Sequence, residues 1–102
     1  MPQNFRLIAL AATALATVPA IAALPPNYQR LAELRAVLNH PAVGSAFGMD
    51  NPVERVEYVR PDLYRVSGGR CRMDVAIHGL PMPRGMAGPR RFEARPGKKV
   101  CN

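Results

Sequence analysis

A length of 102 residues leaves room for one domain at most. Fourteen Lys and Arg against seven Asp and Glu give a formal charge of +7, and only two cysteines and two histidines are present. There is no CxxC, so redox catalysis has no motif to stand on, and only His40 and His78 could join Cys71 and Cys101 around a metal. No metal site and no cofactor is expected.

The first segment reads as a secretory signal peptide over residues 1–22. Arg6 and the amino terminus make a positive n-region, and Leu7 to Val18 carries no charge or strongly polar group. Pro19 breaks any helix there, and Ala20-Ile21-Ala22 places small residues where a peptidase cuts, after Ala22 or Ala23. The competing reading is an uncleaved anchor. The apolar run up to Leu24, interrupted by two threonines and Pro19, falls short of the roughly 20 residues that span a bilayer core. The expectation is export to the periplasm or the medium, with no transmembrane segment after cleavage and residues 23–102 as a single small domain. About 80 residues make a marginal core, and an oxidising compartment favours a Cys71–Cys101 disulfide. Closing a loop of about 30 residues stabilises a fold by roughly 3–4 kcal/mol in the chain-entropy model.

After Pro25 and Pro26, Asn27 is the expected N-cap of an amphipathic helix ending near Asn39. Its apolar face is Leu31, Leu34, Val37 and Leu38, with Arg30, Glu33 and Arg35 mostly elsewhere. Pro41 suits the first position of a short second helix, with Gly48 as its stop. His40, just before it, fits capping better than catalysis.

From Val53 the period changes to two. Residues 53–67 read as a hairpin turning at Pro61-Asp62. Gly68-Gly69 reads as a tight connection or a bulge, and Cys71, Met73, Val75 and Ile77 then alternate with Arg72, Asp74, Ala76 and His78. A fourth strand follows with Phe92 and Ala94 inward, and Pro96-Gly97 reads as a further turn. With Ile77 opposite Phe92, Cys71 would face Lys98, and the chain end folds back to bring Cys101 to Cys71. The expected fold is α+β: two helices packed on a roughly four-stranded antiparallel meander sheet, held by one disulfide.

No catalytic constellation is present. Asp74 and His78 lie four residues apart on a strand, about 13 Å, and Glu54 and Glu57 fall on opposite sides of theirs. The expectation is a non-enzyme. Tyr58 and Tyr64, flanking one turn, read as cross-strand packing.

Two features remain. Residues 23–64 carry four arginines against five acids, whereas residues 65–102 carry nine Lys and Arg against Asp74 and Glu93. Residues 79–90 form a long connection stiffened by Pro81, Pro83 and Pro89, and long connections in small domains are often functional. Met82, Arg84, Met86, Arg90, Arg91, Arg95, Lys98 and Lys99 are therefore the candidate binding residues: arginine forks and lysine charges beside adaptable apolar side chains. The alternative reading is an irregular edge whose prolines block further strand pairing. The functional expectation is an exported monomeric binding module facing an envelope protein or anionic surface, with nucleic acid excluded by export. The alternatives are an envelope accessory protein held electrostatically to anionic lipid or polysaccharide and, with less support, a small hydrolase or hydrolase inhibitor.

Overall fold

The computed structural model describes residues 24–102, so the expected leader over residues 1–22 lies outside the described residues. Helix α1, Pro26–Asn39, starts two residues earlier than expected. Pro25 stands at the N-cap without a side-chain hydrogen bond, and Asn27 lies inside the first turn. The cause is Pro26: its missing N–H is one the helix start could not satisfy anyway, and its fixed φ is already helical. Pro41 disfavours helical geometry at the residue before it, and His40 is accordingly extended (φ −70°, ψ 129°). His40 Nδ1 accepts the Ala42 N–H at 3.1 Å, which caps α2, Pro41–Ala46, as expected for this histidine.

The buried stripe of α1 differs from the expected one. Val37 and Glu33 are its buried residues, while Leu31 and Leu38 are 43% and 50% exposed. Leu34 and Ala36 pack against the core from its margin. The helix is rotated so that Gln29, Glu33 and Val37, spaced i, i+4, i+8, point at the sheet. The Tyr64 hydroxyl selects this rotation by donating to Glu33 (2.7 Å).

The strands are β1 (Arg55–Arg60), β2 (Leu63–Gly68), β3 (Cys71–Gly79) and β4 (Phe92–Cys101). They form one sheet in the order β1-β2-β3-β4, each neighbour antiparallel, which is the expected meander. The first turn places Asp62 at φ 64°, a left-handed conformation that Asp tolerates better than most residues. At the second, Gly69 has φ 58°, and a Cβ on neighbouring Gly68 would overlap the Pro52 carbonyl.

The β3–β4 register differs from the expected one by two residues. Ile77 lies opposite Ala94, Gly79 opposite Phe92, and Val75 opposite Pro96. A two-residue slip leaves the same side chains on the same face, so Ala94 is still buried and Phe92 still packs on the core. Pro96-Gly97 is not a turn. Both residues lie inside β4, at an irregularity opposite Asp74 that adds one more step of register. An edge strand accommodates a proline because no neighbour needs its N–H. The result brings Cys101 directly opposite Cys71. Asn102 N–H donates to the Arg70 carbonyl at 3.0 Å, marking the cysteines as the closer, non-hydrogen-bonded kind of cross-strand pair, with Cα atoms 4.0 Å apart and the sulfurs bonded.

Val37, Val43 and Phe47 from the helical side meet Tyr64, Val66, Met73, Val75 and Ile77 from the sheet to form the core. The opposite sheet face is open to solvent.

Candidate functional site

The β1–β2 turn, the β3–β4 loop and the first half of α1 meet at one end of the sheet. Among the described residues Glu33 is the only charged one that is buried, at 6% exposure. Its two oxygens are separately engaged: Oε1 accepts from the Tyr64 hydroxyl at 2.7 Å and Oε2 from Gln29 Nε2 at 2.8 Å. Arg90 Nη1 stands 3.7 Å from Oε2 and donates to Asp62 Oδ1 at 2.9 Å. A buried carboxylate is tolerable only when its charge is paired and its lone pairs are used, and these partners meet both conditions.

Each partner reports its surroundings. Burial raises the Tyr64 phenol well above its ordinary value, and donation to the Glu33 carboxylate adds to the rise. The hydrogen bond to Asp62 raises the Arg90 guanidinium above its own. Tyr58 packs edge-on against Tyr64 with ring centroids 5.7 Å apart, the expected cross-strand pair, and the Arg30 guanidinium lies 3.6 Å above the Tyr58 ring. Between these groups is a cavity of about 180 Å³, lined by Pro26, Gln29, Arg30, Glu33, Tyr58, Pro61 and Asp62. That is below the roughly 300–1,000 Å³ of ordinary small-molecule pockets. Glu33 and Asp62 both already hold donors, so the cluster acts as a clamp for the loop.

The clamp fixes the foot of the proline-rich loop. Arg90 reaches back across Gly79, where a Cβ would come 3.2 Å from its guanidinium, so a side chain at Gly79 would crowd the ion pair. Leu80 N–H donates to the Arg91 carbonyl at 2.9 Å and closes the base. Farther out, Met86 N–H donates to the Pro83 carbonyl at 3.1 Å, and Gly85, with φ 77°, supplies the left-handed third position of that turn. The tip therefore has its own hydrogen-bonded turn.

The structure divides the sequence-predicted site residues. Met82 and Met86 are 38% and 62% exposed on the loop, and Arg84 and Arg91 are exposed and form no ion pair among the described residues. Arg90 is instead occupied by the clamp. Arg95 pairs with Glu93 at 2.7 Å. Lys99 donates to the Ala46 carbonyl at 3.1 Å, closing the C-terminus of α2. Lys98 is exposed near the disulfide; at strand rise it lies about 23 Å along the chain from Arg91. The expected basic patch is thus a loop cluster of Met82, Arg84, Met86 and Arg91, with Lys98 far from it. Sequence reasoning missed Glu33, Gln29, Asp62 and Arg30. The available signal was the i, i+4 spacing of Gln29 and Glu33 on a helix with no other acid.

Among the described residues no group of three or more His, Cys, Asp or Glu is placed to hold a metal ion, and no helix is long and apolar enough to cross a membrane. No family model matches the chain, and neither the curated proteins nor the solved structures contain a match.

Proposed function

We propose that the chain is an exported, non-enzymatic binding module whose proline-rich loop engages an acidic partner surface of the cell envelope. One observation carries this reading. The loop is clamped at its foot by Arg90 with Asp62 and Glu33, while Met82, Met86, Arg84 and Arg91 are left exposed. A loop already held in shape gives up less entropy on binding. Two unpaired guanidinium forks beside two thioether side chains suit an acidic surface with apolar patches. Export rests on the leader-like residues 1–22 and is consistent with the disulfide, a bond that persists mainly in oxidising compartments.

The test is capture from an envelope extract on the oxidised protein, at rising salt, beside a variant carrying Arg84→Gln, Met86→Ser and Arg91→Gln. A partner retained at 1 M salt, where the Debye length is about 3 Å, and lost by the variant is the expected outcome. Association that fades with salt and ignores the variant would overturn the loop reading in favour of electrostatic attachment to anionic lipid or polysaccharide.

A further inference from the structure

The open face of the sheet holds a second arrangement, unrelated to the loop. Arg55, Ser67 and Arg72 are direct cross-strand partners on β1, β2 and β3. Strand alternation turns Val66 and Gly68 to the buried side and Ser67 outward between the two arginines. Ser67 Oγ is the one buried side-chain polar atom without a hydrogen-bond partner among the described residues. Such an orphan in a folded chain calls for a missing partner. Arg55 and Arg72 are exposed, and neither forms an ion pair among the described residues.

The adjacent row shows the contrast. Glu57, Arg65 and Asp74 are also cross-strand partners, and there Arg65 is taken by Asp74 at 2.7 Å. In that row the arginine is held by a carboxylate, whereas its neighbour presents two cations and a hydroxyl without a partner. Beside that second row opens a cavity of about 380 Å³ lined by Glu54, Arg55, Ser67 and Gly69. The Glu54 carboxylate is engaged there, since its Oε1 accepts the Gly69 N–H at 2.9 Å.

We propose that the Arg55–Ser67–Arg72 row is an oxyanion site for a phosphate or sulfate group. Two strand spacings put the Cα atoms of Arg55 and Arg72 about 10 Å apart, within reach for both guanidinium forks to close on one tetrahedral anion above Ser67. Forked, charge-assisted donors are the usual recognition of such groups. The Ser67 hydroxyl lies at the floor of the row, and the exposed arginines swing outward to let the anion accept its hydrogen bond. The Cys71–Cys101 bond, adjacent to Arg72, pins the β3 side of the row. The row lies toward the disulfide end of the sheet, opposite the loop, and does not rest on the loop reading.

The test is NMR titration of the oxidised protein, in the N-terminal form in which it is isolated, with sodium phosphate and sodium sulfate against sodium chloride at matched ionic strength. Saturable shifts centred on Arg55, Ser67 and Arg72 are expected. Ser67→Ala should weaken phosphate by about tenfold or more, the worth of one charge-assisted hydrogen bond, and Ser67→Thr should restore it. Arg55→Gln and Arg72→Gln should each weaken it by about tenfold or more, and Arg95→Gln should leave it unchanged. Failure to saturate overturns the site. So does phosphate binding that is indifferent to Ser67→Ala, because a diffuse basic surface would behave that way. Once inorganic phosphate has marked the row, vesicles of phosphatidic acid in phosphatidylcholine identify the source. Binding lost in the same variants assigns a lipid headgroup, and binding of soluble phosphate alone assigns a soluble monoester.

Discussion

The two ends of this sheet are closed by different chemistry. At one end Cys101 is bonded to Cys71, Lys99 closes α2, and Gly68 lies against the Pro52 carbonyl. At the other, no covalent bond holds the chain. A buried glutamate gathers Tyr64, Gln29 and Arg90, and through Arg90 it fixes a twelve-residue loop. A covalent staple answers to reductant and is indifferent to pH, whereas a polar clamp answers to protons and to loss of a single partner. A domain this small uses both because its apolar core alone is marginal.

Reduction should separate the ends most sharply. Breaking Cys71–Cys101, or replacing both with Ser, is expected to lower unfolding free energy by roughly 3–4 kcal/mol, read as a drop in denaturant midpoint. In the fraction still folded, the amide signals of Gly79 to Arg91 should barely move. Large shifts in that loop would show that the two ends are coupled. Glu33→Ala should come next, at about 2–3 kcal/mol, because it strands the Tyr64 hydroxyl in the core. Arg90→Gln should cost about 1–2 kcal/mol: the arginine is itself partly exposed, but the buried Glu33 carboxylate loses its cation while keeping its bonds from Tyr64 and Gln29. Its clearer effect should be faster hydrogen exchange at the Leu80 amide, whose bond to Arg91 closes the loop base.

The contrast between the ends also explains what could be read in advance. Strand periodicity marks the alternating core residues of β3, and a two-residue slip in pairing β4 leaves them in place, so the meander and the disulfide were legible. The placement of Pro96-Gly97 inside β4 was not, because a proline-glycine pair reads locally as a turn and only the edge position makes it a strand. The clamp was harder still. The rotation of α1 is decided by a hydroxyl thirty-one residues away, and a helix with leucines on two sides gives periodicity no way to choose. Which arginines stay free likewise depends on pairings such as Arg90 with Asp62, set by tertiary structure.

Alkaline titration probes the clamp directly. The folded Tyr64 phenol is raised by burial and by its bond to Glu33, whereas in the unfolded chain it ionises near its ordinary value of about 10. The contribution is therefore fully present below about pH 10 and is lost as pH rises toward the folded value, because only the unfolded chain gives up the proton. Stability followed by denaturant midpoint should fall progressively above pH 10. Tyr64→Phe, less stable at neutral pH, should lack that part of the fall.

The smallest effect belongs to the open sheet face, which neither end controls. The Arg65 hydrogen bond holds the Asp74 carboxyl below the usual range, with Arg65, Arg72 and Arg60 adding favourable charge against a partial loss of solvation. A depressed carboxyl contributes stability that is present above its unfolded value of about 3.9 and is lost as pH falls through the folded one. Both partners are substantially exposed, with Arg65 at 35% and Asp74 at 45%, so solvent screening should keep the loss to about 1 kcal/mol or less. Asp74→Asn should flatten the acid limb below pH 4 by that amount and leave the loop amides unchanged. A larger loss would mean that the Glu57–Arg65–Asp74 row braces the sheet between its ends. A loss within this limit would leave the row as surface charge, its arginine held by Asp74 beside a neighbouring row whose arginines form no ion pair among the described residues.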